Sequence, residues 1–70
     1  MKYVYIIEKA NDGSFSAYVP DLPGCTTSGD SADAVRKLIR EAVKLHIDSL
    51  RAHNEPVPPP TSTTDVVEAA

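Results

Sequence analysis

Seventy residues, 41% of them hydrophobic and 24% charged, have the balance of one globular domain and not that of a disordered chain. The formal net charge of -3 disfavours direct binding to a phosphate backbone, which rests on a surplus of lysine and arginine, and suits a basic protein partner better. A chain this short buries only about 60% of the surface it exposes when unfolded, and its single cysteine allows no internal disulfide, so oligomerisation is the expected support.

No apolar run approaches the ~20 residues of a membrane span, and MKYVYIIEK passes from a short apolar run into charge without a cleavage pattern. A soluble, cytoplasmic protein is expected. Residues 3–10 are rich in tyrosine, valine and isoleucine and predict a first strand, and Asn11, Asp12 and Gly13 predict a tight hairpin. Residues 14–19 alternate, with Phe15, Ala17 and Val19 on one face, and predict an antiparallel second strand. The first strand differs: Tyr3, Tyr5 and Ile7 share one face and Val4 and Ile6 the other. One helix cannot cover both faces, so the surplus hints at a protein interface; the plainer reading is a tyrosine face wetted at its hydroxyls.

After Pro20 and Asp21, the run Leu22, Pro23, Gly24, Cys25 fits a type II turn, with proline presetting φ and glycine supplying the positive φ. Residues 25–28 can return as a third strand. Gly29 and Asp30 break it, and Asp30 or Ser31 can cap a helix whose first turn holds Asp33. From Ser31 to about His53, helical spacing gathers Val35, Leu38, Ile39, Ala42, Val43, His46 and Leu50, with Leu45 and Ile47 on the flanks. Lys37, Arg40, Glu41, Lys44, Asp48 and Arg51 form a solvated face, where Asp33 with Lys37 and Lys44 with Asp48 have i,i+4 spacing. Asn54 suits a left-handed cap, Pro56 ends the helix, and Pro58, Pro59 and Pro60 hold the chain extended. Residues 63–67 have β-propensity and could pair at the edge of the chain's own sheet or a neighbour's.

The expected division is a sheet-and-helix domain at 1–55, a proline-rich connector at 56–62, and a C-terminal edge strand and tail at 63–70. The fold class is α+β, a three- to four-stranded antiparallel sheet with one long helix packed on one face, in the order βββαβ.

Candidate chemistry is thin. Cys25 with a histidine could be a nucleophile, but a lone cysteine after a Pro-Gly turn reads as a small half-buried hydrophobe. His46 and His53 both project near the apolar helix face, yet seven residues of helix separate them by roughly 10 Å, too far for one zinc; His46 reads as a packed neutral histidine. Glu8, Asp12, Asp21 and Asp30 could serve two-metal phosphoryl chemistry, though turn and cap roles already account for Asp12 and Asp30. No phosphate-cradling loop, CxxC pair or nucleophile elbow is present. A ribbon-helix-helix reader would need two helices and a basic strand. No cofactor and no metal is therefore expected, and the chain reads as a non-enzyme.

The string of residues 15–25, FSAYVPDLPGC, with Thr27, the Gly29-Asp30-Ser31 break, Glu41-Ala42 and the triple proline after a long helix, resembles the HicB antitoxin family. The resemblance spans about residues 3–60 and is most specific in the central string. It implies a partial RNase H-like domain without nuclease activity that binds a small basic HicA-type toxin and covers its RNA-cleaving histidine. Many members add a C-terminal DNA-binding domain; here ten residues follow Pro60, and direct DNA binding is not expected. The expected function is that of an antitoxin-like module of a type II toxin–antitoxin system, self-associated as a dimer or tetramer. Tyr18, Asp21 and Leu22, on an exposed corner, are the expected partner contacts. The alternatives are a metal-dependent nuclease on the same scaffold and an oligomeric domain that binds a small ligand between subunits.

Overall fold

The computed structural model describes residues 1–70 and has the order β1 (Ile6–Lys9), β2 (Phe15–Tyr18), β3 (Thr26–Gly29) and α1 (Ala32–Ala52). The strands form one antiparallel sheet in the order β1-β2-β3. Ile6 lies opposite Tyr18 and Lys9 opposite Phe15 on one side of β2, and Tyr18 lies opposite Thr26 and Phe15 opposite Gly29 on the other.

Local chemistry sets the first turn. The Gly13 amide donates to the Ala10 carbonyl at 3.1 Å and the Ala10 amide to the Ser14 carbonyl at 2.8 Å, with Gly13 at φ 89°. This is a three-residue hairpin loop whose last position needs glycine.

β1 is shorter than the predicted residues 3–10, and the reason lies on its neighbour. The Val19 amide donates to the Cys25 carbonyl, so Val19 faces β3, and by alternation Tyr18 and Pro20 face β1. Pro20 would be the next partner on that side, level with Val4, and it has no N–H to give. The ladder therefore ends at Ile6. Residues 1–5 take no part in any backbone hydrogen bond outside the regular elements, although Tyr3, Tyr5 and Ile7 all pack toward the core, as an extended segment of period two requires.

Between β2 and β3 the chain makes two tight turns, the Leu22 amide donating to the Val19 carbonyl and the Cys25 amide to the Leu22 carbonyl. The second is the predicted Pro-Gly turn, with Gly24 at φ 84°. Together they fold the Leu22 side chain inward.

The core is Ala17, Val19, Leu22, Cys25, Val35 and Ile39, all between the sheet and the helix. Full burial of Leu22, Ile39 and Val35 stabilises the fold by roughly 1.5–3 kcal/mol each. Ser31 caps α1, its Oγ accepting from the Ala34 amide at 3.1 Å. Asn54 at φ 55° closes the helix in the left-handed region, as its residue type predicts. Ala42, Val43 and Ile47 continue the contact stripe from Val35 and Ile39, whereas Leu38 and Leu45 are exposed. The packed face is thus rotated toward Ile47 and away from Leu38 and Leu45. The only ion pair is Asp33 with Arg36 at 2.6 Å, in place of the two predicted i,i+4 pairs, and an exposed pair of this kind contributes little.

The sheet has three strands, and residues 63–67 form no strand within the chain. The connector is tied down instead. The Tyr3 hydroxyl donates to the Pro58 carbonyl, and Thr61 and Ser62 bond to Asp21. Beyond Ser62 every residue is exposed. No helix is long and apolar enough to cross a membrane.

Candidate protein-binding surface

Alternation along the strands decides which groups the helix leaves uncovered. Phe15, Ala17, Val19 and Cys25 point to the helix. Val4, Ile6, Glu8, Ser16, Tyr18, Thr26 and Ser28 therefore share the other face. On it Ile6 stands directly across from Tyr18, with Val4 two residues along. Tyr18 is 40% exposed and Ile6 and Val4 are half-buried. A short apolar strip bordered by hydroxyls and by Glu8 results, as the double-faced pattern of the first strand predicts.

The three expected contact residues fare differently. Tyr18 lies on this open face. Leu22 does not lie on an exposed corner: it is 0% exposed and is one of the largest fully buried side chains. Two consecutive turns leave the leucine as a plug beneath them, because a large apolar side chain at a turn is more stable under the chain than in water.

Asp21 is a clamp. Its Oδ2 accepts the Thr61 amide at 3.0 Å and the Ser62 amide at 2.8 Å, and its Oδ1 accepts the Thr61 hydroxyl at 3.1 Å and the Ser62 hydroxyl at 2.8 Å. These donors, led by the Ser62 amide and hydroxyl, hold its carboxyl below the ordinary aspartate value. Thr61 and Ser62 are the residues that sequence reasoning missed. A hydroxyl pair 40 residues from its carboxylate leaves no spacing to read.

The remaining candidates stay apart. Asp12 is engaged within its own hairpin, accepting from the Ser14 hydroxyl at 2.6 Å and the Ser14 amide at 2.9 Å, which also lowers its pKa. No three histidine, cysteine or carboxylate groups gather at one place, so Glu8, Asp12, Asp21 and Asp30 do not form the two-metal arrangement. Cys25 is buried, more than the half-burial its position predicts, and desolvation pushes its thiol upward, away from thiolate character. His53 is exposed at the helix end with Nδ1 2.8 Å from the Ser49 carbonyl, off the apolar face where spacing put it, while His46 is half-buried.

A three-stranded antiparallel sheet with one helix on one face and an uncovered apolar strip on the other defines a small α+β domain. Residues 3–70 match the family described as the HicB-like antitoxin of bacterial toxin–antitoxin systems. The chain belongs to that family. Among its relatives is a UPF0150 protein of Thermoplasma acidophilum, 45% identical over 58 residues that cover 83% of this chain and 84% of that protein. A UPF0150 protein of Synechocystis is 41% identical over 56 residues, covering 80% and 71%. Among solved structures, the N-terminal domain of the Burkholderia pseudomallei antitoxin HicB superposes with a TM-score of 0.74 at 30% identity, over 84% of this chain and 69% of that one. The match supports the three strands and the helix as the family's fold.

Proposed function

We propose that this chain is an antitoxin module that binds a small, basic, mRNA-cleaving toxin of the HicA type and neutralises it by covering its RNA-binding surface. The observation that carries this reading is the uncovered strip of Val4, Ile6 and Tyr18 on a domain whose fold is that of an antitoxin's N-terminal domain. The module performs no chemistry of its own. Its inhibition is steric, helped by the attraction between an acidic chain and a basic partner.

Each expected contact residue takes a distinct role. Tyr18 is an amphipathic anchor of the kind that dominates binding energy at interfaces. Asp21 presents its charge to the partner while organising the connector, and Leu22 supports the corner from beneath. The partial RNase H-like scaffold, self-association as a dimer or tetramer, a place in the cytoplasm beside mRNA, and a separate C-terminal segment at 63–70 belong to the same reading.

The test is to co-purify the chain with HicA-type proteins encoded in its own genome and to follow RNA cleavage. A stable complex that blocks cleavage, weakened about tenfold or more by Tyr18→Glu with the circular dichroism unchanged, is the expected result. Absence of both complex and inhibition overturns the reading.

A further inference from the structure

A groove runs between the N-terminal segment and the helix. Two adjoining hollows of about 400 and 360 Å³ share Met1, Tyr3 and Val43 and so form one continuous channel. Its floor is apolar, made by Tyr3, Tyr5, Ile39, Val43 and Ile47. Its rim is basic in an otherwise acidic chain: Lys2, Arg40, Lys44 and Arg51 stand against one carboxylate, Asp48. None of these four cations is in an ion pair, since the only pair in the molecule is Asp33 with Arg36. Along one wall lies the backbone of residues 1–5, which continues the free outer edge of β1; by alternation Tyr3 and Tyr5 turn their backbone groups to that edge, and none of them is in a backbone hydrogen bond outside the regular elements. Such an edge is where an extended segment adds by strand pairing.

The complement of this groove is on the same chain. Residues 63–70 read TTDVVEAA, with two valines between Asp65 and Glu68. Val66 and Val67 are 98% and 91% exposed, the most exposed of the large apolar side chains. Two apolar groups flanked by acids fit an apolar floor with an unpaired basic rim. The lengths agree as well: eight extended residues span up to roughly 27 Å, and the groove follows the helix from Ile39 to Arg51 over about 18 Å.

The occupant comes from a second copy. Tyr3 grips Pro58 at the groove, and four residues later Asp21 grips Ser62 at the end of β2. The clamped stretch carries the chain from the β1 side toward the β2 side, so its own tail would have to double back over that stretch. A neighbour's tail enters directly, and reciprocal exchange gives a closed two-fold dimer with two tails in two grooves. We infer that residues 63–70 of one copy dock, as an added strand, in the groove between residues 1–5 and α1 of another. This does not rest on the toxin reading.

Sedimentation of the full chain tests it, because Val66 and Val67 contribute nothing to the chain's own packing. Val66→Asp with Val67→Asp, and separately Arg40→Glu with Lys44→Glu, should each weaken self-association about tenfold or more while the circular dichroism stays the same. Asp65→Lys with Glu68→Lys should weaken it too, and joining those two changes to Arg40→Glu with Lys44→Glu should restore it. A chain that is monomeric at all concentrations, a dimer indifferent to the valine and charge changes, or a failure of the charge exchange to rescue overturns the inference. So does a monomer whose Val43 resonances shift with the tail changes, which would place the tail in its own groove.

Discussion

The hairpin at residues 11–14 and the corner at residues 20–25 each turn the chain about an aspartate, and amide and hydroxyl donors depress the pKa of both carboxyls. Asp12 takes its donors from Ser14, two residues away. Asp21 takes its own from Thr61 and Ser62, across the whole helix and the proline connector. The first turn is a local structure that would form on any similar chain. The second is a junction where a buried leucine, the end of a ladder and the path of the C-terminal segment meet. Turn chemistry alone does not distinguish them; what lies beneath the turn and who supplies the donors does.

The largest difference should appear on truncating the plug. Leu22→Ala removes a fully buried side chain between the sheet and Val35 and Ile39, and such losses cost about 2–5 kcal/mol. Asn11→Ala in the hairpin, exposed and without a core beneath it, should stay within ~0.5 kcal/mol. Urea unfolding followed by circular dichroism measures both. A Leu22→Ala cost under ~1 kcal/mol would make the corner as superficial as the hairpin.

A smaller and more local effect should follow release of the clamp. Asp21→Asn keeps the shape of the side chain and removes its charge, so the bonds from the Thr61 and Ser62 amides weaken. Hydrogen exchange at those two amides should rise to that of the free tail, with the core amides of β2 and α1 unchanged. The pH dependence has a fixed sign. Because the folded carboxyl is depressed, its contribution is complete above the ordinary aspartate range and is lost as pH falls through the lowered value. Amide proton shifts of Thr61 and Ser62 should therefore titrate below that range. Thr61→Ala with Ser62→Ala should move Asp21 part of the way upward, since the Ser62 amide that leads the depression remains, and leave Asp12 where it is. Equal movement of both aspartates would mean that the substitutions act through the fold as a whole and not through these donors.

The same contrast explains what could be read from the sequence. The Asn-Asp-Gly hairpin, the Pro-Gly turn, the Ser31 cap and the Asn54 stop are each decided within a few residues, and they sit where spacing predicts. The uncovered sheet face was also legible, since alternation in the first strand assigns Val4 and Ile6 away from Ile7. The length of β1 was not, because it is set by a proline on another strand. Leu22 was misplaced because two turns in succession aim it inward, and a single turn reading cannot say which way the side chain between them points. Asp21 looked free because its partners are 40 residues distant. Exposed-corner reasoning works for residues whose surroundings are their sequence neighbours, and it fails where a distant segment returns.

The smallest effect is expected at Asp12, and it bounds the comparison from the other side. Asp12→Ala removes the acceptor of the Ser14 amide and hydroxyl, yet the hairpin keeps its two backbone bonds between Ala10 and residues 13 and 14. Gly13 still supplies the positive φ the loop needs, and Lys9 remains opposite Phe15. The Ser14 amide passes from a carboxylate to water, which replaces a bond on an exposed loop without leaving a buried donor unmade. The urea midpoint should therefore move too little to resolve, while the Ser14 amide shift loses its low-pH titration and the Thr61 and Ser62 shifts keep theirs. A midpoint shift comparable to that of Leu22→Ala would show the hairpin to be as much a part of the core as the corner, since an exposed acceptor can reach global stability only through the packing of the turn it holds.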